Sequence, residues 1–128
     1  DLVIVRLKDL ISKKPQASHW SISQNDTYGP CECSGCKNID NQYGGVPSGS
    51  LIHFVNQVAE RFPNKVISTL AYQYSRKAPE GIKPAENVNI VLCTIELNRS
   101  RPIRTDPSSR GFVNDISNWK KLTNNILI

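Results

Sequence analysis

The sequence predicts an α/β fold: parallel strands covered by helices. Two observations carry this. Helical and strand-like segments alternate along the 128 residues as helix, strand, helix, strand, strand, helix and the opening of a further strand, the pattern of a parallel sheet with helical connections. The two stretches richest in β-formers, residues 66–74 and 88–97, lie close together in the chain. A third observation concerns extent. A parallel sheet this small leaves open edges, which proteins normally pair or cover. The chain also starts on a helix and stops on the first residues of a strand. An excised piece of a (β/α)8 barrel, a TIM-type barrel, would look like this, so the expectation is one segment, residues 1–128, of such a barrel.

Residues 2–13 read as an amphipathic helix. Leu2, Val3, Val5, Leu7, Leu10 and Ile11 recur at mixed spacings of 3 and 4, Lys13-Lys14 suits the negative helix end, and Pro15 stops it. Residues 19–25 alternate well enough for a strand. Residues 26–49, rich in Gly, Pro, Asn and Cys, read as a long loop, and loops of that length are usually functional or cross-linked. Residues 50–62 are the clearest helix, with Leu51, Phe54, Val55, Val58 and Phe62 on one stripe and Ser48 or Ser50 as cap. Pro79, Gly81 and Pro84 argue against a crossover helix between the two β-rich stretches. A weaker helix covers residues 111–123, and residues 125–128 open a new strand. Trp20 and Trp119 belong to the core.

Composition excludes several classes of function. The chain is 38% hydrophobic and 21% charged, which fits a folded domain and not a disordered tail. No apolar run approaches the roughly 18–20 residues needed to cross a bilayer. The first residues, Asp1 onward, lack the basic start and small-residue cleavage site of a signal peptide, which says little of a chain cut from a longer protein. A formal charge of +5 invites nucleic acid as a partner, yet the basic residues are scattered, with no run of five and no accompanying motif. Solvated surface is the better reading.

Chemistry in parallel α/β folds gathers where the strands run out. Asp26 and Glu96 occupy such places. Within 88–97, Leu92, Thr94 and Glu96 share one face, and a glutamate in a core strand needs a partner or a task, because burying an unpaired charge is expensive. Burial there would raise its pKa, as a general acid requires. Paired carboxylates across a cleft are the machinery of glycoside hydrolysis. The plainer alternative has Asp26 turning the chain and Glu96 pairing with Arg99 or Arg101. Tyr72 and Tyr74 share a face at a strand end and suit a sugar-stacking wall, though tyrosine is equally at home half-buried in a strand.

Cys31-x-Cys33-x-x-Cys36 is the sharpest local signal. Three thiolates so spaced fill three positions of a tetrahedral structural zinc site, with Cys93 or a histidine as the fourth. Alternatively, two of the three form a disulfide that staples the loop. No other cofactor is expected, and His19 and His53 read as structural.

Taken together, several motifs resemble a bacterial family first described as a domain of unknown function and associated with glycoside hydrolase family 163, the endo-β-N-acetylglucosaminidases acting on complex N-glycans. The motifs are Ser21-Ile22-Ser23-Gln24-Asn25-Asp26, Cys31-Glu32-Cys33-Ser34-Gly35-Cys36, Pro47-Ser48-Gly49-Ser50-Leu51-Ile52-His53-Phe54-Val55-Asn56, Leu70-Ala71-Tyr72-Gln73-Tyr74 and Val91-Leu92-Cys93-Thr94-Ile95-Glu96. They run in order across about residues 20–122. The resemblance implies the middle of a (β/α)8 catalytic barrel in a larger exported protein, periplasmic or on the cell surface. It also implies a glycan substrate, with Glu96 as a catalytic carboxylate, the other being either Asp26 or a residue outside this chain, and with Gln24 and Asn25 lining the cleft beside the strand-end Tyr72 and Tyr74. An isolated segment would be inactive and would self-associate through its open strand edges. A noncatalytic carbohydrate-binding module and a small cysteine-organised metal-binding domain are the competing readings.

Overall fold

A computed structural model describes residues 2–128; Asp1, the first residue of the leader reading, lies outside the described residues. The fold is mixed α/β, with four parallel strands in the order β1-β2-β3-β4. These are β1 (His19–Ser21), β2 (Val66–Ala71), β3 (Val88–Leu92) and β4 (Ile126–Leu127). His19 pairs with Val66, Thr69 with Ile90, and Ile90 with Ile126. Because all four run the same way, their C-terminal ends open on one edge.

Helix α1 (Leu2–Lys13) forms as its sequence directs. Leu7 is buried and Ile4 and Ile11 pack on the core. Leu2 and Val5 stay exposed. The first strand is shorter than residues 19–25 suggested. The Ile22 amide still donates to the Ser68 carbonyl at 2.8 Å; beyond it the chain leaves the sheet. The expected long loop is shorter too, because it contains α2 (Ser34–Gln42), whose N-cap is Cys33. Helix α2 buries only Asp40, so it carries almost no apolar periodicity to read.

Helix α3 (Ser48–Glu60) is the central covering element. Its inward stripe is Ile52, Val55, Val58 and Ala59, continued by Phe62. This is rotated from the expected stripe: Leu51 is half-buried and Phe54 exposed. The cap differs as well. Pro47 stands at the N-cap without a side-chain bond. Ser48 is turned inward to donate to the Lys77 carbonyl at 2.5 Å, and the Asp40 carboxylate accepts from the Ser50 amide at 2.7 Å. A side chain from the neighbouring helix thus satisfies a first-turn N–H that would otherwise be orphaned. At the other end of α3, Asn87 Nδ2 donates toward the carbonyls of Ala59, Phe62 and Lys65 and fixes the helix to the start of β3.

The connection from β2 to β3 contains no α-helix, as its prolines dictate. Strand β2 ends at Ala71 rather than Tyr74. Gln73 adopts φ 48°, the left-handed region, and opens a 3₁₀ turn over Gln73–Ser75. Strand β3 ends at Leu92 rather than Leu97. Helix α4 (Arg110–Leu122) follows and buries Phe112, Asp115 and Trp119 at spacings of three and four. Trp119 is in the core, while Trp20 packs against it half-buried.

Burial alternates strictly along the two long strands. Ile67, Ala71, Val88, Ile90 and Leu92 share the covered face with Thr69, against α3 and α4. Each such aliphatic side chain contributes about 1.5–3 kcal/mol on burial, so this face decides the fold. Val66, Ser68, Leu70, Asn89 and Val91 point to the other face and remain half-exposed. Among the described residues, no helix is long and apolar enough to cross a membrane.

Candidate functional site

Where β1, β2 and β3 run out, a hollow of about 330 Å³ opens. The loop after β1 supplies Gln24, Asn25 and Asp26; β2 and its end supply Leu70 and Tyr72; the chain just past β3 supplies Cys93 and Ile95. Three adjacent parallel strands therefore converge on one concavity. Asn25 and Asp26 stand exposed at its rim.

Gln24 ties two strand ends together. Its Nε2 donates to the Tyr72 carbonyl at 3.0 Å, and its Oε1 accepts from the buried Ser75 hydroxyl. Ser75 in turn accepts from the Tyr72 amide at 3.2 Å. The sharp turn at Gln73 is what brings Ser75 back beneath Tyr72. Gln73 Nε2 also donates to the Tyr72 hydroxyl at 2.9 Å, which fixes the ring at the hollow's edge. The Gln24 amide is thus spent on building the wall. Asp26, Asn25 and the Tyr72 ring are the groups presented by it. Cys93, whose amide extends the ladder to the Ala71 carbonyl at 3.2 Å, has its thiol pushed up by burial.

Tyr74 and Glu96 are not among the residues that line this hollow. Tyr74 belongs to the 3₁₀ turn, so the strand alternation that would put it beside Tyr72 is broken at Gln73. Glu96 lies four residues past the end of β3, exposed, and its carboxylate is paired with Arg76. The partner is neither Arg99 nor Arg101. Arg76 Nε also donates to Asp115 of α4 at 2.7 Å, and its carbonyl accepts from Trp119 Nε1 at 2.8 Å. Glu96 is accordingly drawn toward α4, without the apolar burial expected of a general acid in a core strand.

Several participants escape a reading of the sequence alone. Leu70, Cys93 and Ile95 look like ordinary strand residues, and Arg76 looks like one of many surface cations. Ser75 had a usable signal. A serine soon after a β-rich stretch, following Gln73, can back-bond and end the strand.

The three clustered cysteines do come together. Their sulfurs all lie within 4.8 Å of one another, and each is a free thiol. The Cys36 amide donates to Cys33 Sγ at 3.4 Å. That bond, followed by hydrogen bonds from the Cys31 and Cys36 side chains, holds the Cys33 thiol down to about 7. Hydrogen bonding to Cys33, then to Cys31, then burial, pushes Cys36 up to about 12. Among the described residues, neither Cys93 nor a histidine joins this group.

The model of one protein family, described as Domain of unknown function (DUF4838), matches residues 1–128. The chain belongs to this family. No curated protein and no solved structure matched it. In this DUF4838 chain the hollow and the cysteine cluster are neighbours in sequence. The segment between β1 and α2 leaves the hollow at Asp26 and ends in Cys31 and Cys33.

Proposed function

We propose that the chain is part of a glycoside hydrolase-like catalytic domain and that the hollow at its strand ends takes an N-acetylglucosamine-containing glycan. The observation that carries this reading is the convergence of Asp26, Asn25 and Tyr72 from two strand ends on one concavity. A sugar ring offers hydroxyls for a carboxylate and an amide, and an apolar face for an aromatic ring.

Sequential strand order supports a (β/α)8 architecture for the whole domain. Each strand pairs with its successor in the chain, as in a singly wound barrel, where sites lie at the C-terminal strand ends. The half-exposed Val66, Leu70 and Val91 then face the barrel interior. In the exported parent protein, the remaining strands complete the wall and supply whatever further catalytic carboxylate the reaction uses.

Within this chain, Asp26 is the carboxylate placed at the hollow. Glu96 acts as a catalytic acid only after leaving Arg76. That pairing favours a second reading, in which this part of the domain recognises glycan without cleaving it.

Mass spectrometry of complex N-glycans incubated with the parent protein separates the readings. Product from the native protein, lost in both Asp26→Asn and Glu96→Gln while the fold persists, supports hydrolysis by both residues. Loss in Asp26→Asn alone removes Glu96 from the mechanism. Binding on a glycan array without product supports recognition, and absence of both removes glycan altogether.

A further inference from the structure

Three sulfurs gathered within 4.8 Å are more than a disulfide requires, since a disulfide joins two and leaves the third without a role. Tetrahedral zinc binds thiolates at about 2.3 Å, which sets neighbouring sulfurs about 3.8 Å apart. The three sulfurs, all within 4.8 Å of one another, thus lie within about 1 Å of that spacing. Soft thiolates select zinc-like ions over magnesium or calcium, which prefer oxygen.

The surroundings favour bound thiolate as well. Cys33 caps the N-terminus of a nine-residue helix, and the Cys36 amide already points at its sulfur. The partial positive charge of the helix end and a directed N–H both stabilise a metal-bound sulfur. From the arrangement we infer that Cys31, Cys33 and Cys36 form a three-thiolate site for a divalent cation of the zinc class, its fourth position open to solvent. Each metal–sulfur bond replaces a thiol proton.

The site has a structural consequence. Cys31 and Cys33 end the segment that carries Asp26, while Cys36 belongs to the first turn of α2. A bound ion clamps that segment to the helix, and through it restrains the rim of the hollow. This holds whether or not the hollow takes a sugar, so the two proposals fail separately.

Cobalt(II) titration of the reduced, metal-free full chain is the direct test, with zinc as competitor. The expected result is one equivalent of cobalt giving intense near-ultraviolet sulfur-to-metal charge-transfer bands and visible bands of tetrahedral cobalt. Zinc should abolish both bands and raise the melting temperature by several degrees. The charge-transfer bands should fall by about a third or more in Cys31→Ser, Cys33→Ser and Cys36→Ser, and persist in Cys93→Ser. The pale spectrum of hydrated cobalt in the native chain would overturn the site. So would full bands in the three variants, or loss of two thiols to oxidation in the chain as isolated from cells. The native-chain titration decides the matter even where a serine variant fails to fold.

Discussion

Arg76 holds more of this structure together than its place among scattered cations suggests. Its guanidinium bridges Asp115, buried in α4, and Glu96, exposed past β3. Removing one partner of a largely buried pair leaves an uncompensated charge, whereas exposed pairs contribute little. Arg76→Ala should therefore lower unfolding stability by about 3 kcal/mol, and Glu96→Gln by less than about 1 kcal/mol, both measurable by urea denaturation. Equal losses would contradict this account of the hub. A second residue-scale consequence concerns reactivity. Thiolate is the nucleophile, and Cys33 is held at about 7 against an ordinary 9.0. In the metal-free reduced chain, its alkylation rate should rise with pH through a midpoint near 7, while Cys36, pushed to about 12, stays slow throughout. Peptide-resolved mass spectrometry checks both, and a Cys33 midpoint near 9 would refute it. At this scale the sequence shows which residue types matter and hides their partners. Asp26 and Tyr72 are legible as strand-end residues. The Arg76–Glu96 pair spans twenty positions and depends on where two strands stop.

Elements were legible in proportion to their apolar periodicity. Helices α1, α3 and α4 bury recurring side chains and could be read to within about two residues. Helix α2 could not, because its single buried residue, Asp40, is polar; its task is to cap α3 through Ser50. Strands β2 and β3 end sooner than their composition suggests, because β-forming residues continue past the last ladder bond. Gln73 at φ 48° ends one strand, and the other ends at Leu92. The packing of α2 on α3 yields a test with a definite sign. A Cβ on Gly49 would lie 2.9 Å from Tyr43 Cβ and 3.3 Å from Asp40 Oδ1. Ordinary Gly-to-Ala changes in helices stabilise by up to about 1 kcal/mol, but overpacking costs about 1–3 kcal/mol. Gly49→Ala should therefore be net destabilising, by about 1 kcal/mol in thermal or urea unfolding. A stabilised variant would show that the contact relaxes freely.

For the whole molecule, alternation of helix and strand was enough to establish parallel strands with helical cover. Strand order and the covered face are not legible in the sequence, because each depends on which neighbours pair. The consequence for function is geometric: one sheet edge collects the ends of β1, β2 and β3, and the hollow forms there. The most direct measurement is a backbone-amide NMR titration of the chain with a chitobiose-containing oligosaccharide. The account predicts saturable shifts at Asn25, Asp26, Tyr72 and Cys93, abolished in Asp26→Ala while the remaining spectrum stays folded. Saturable binding that shifts residues elsewhere and leaves those four unmoved, or no shift at any sugar concentration, would contradict it.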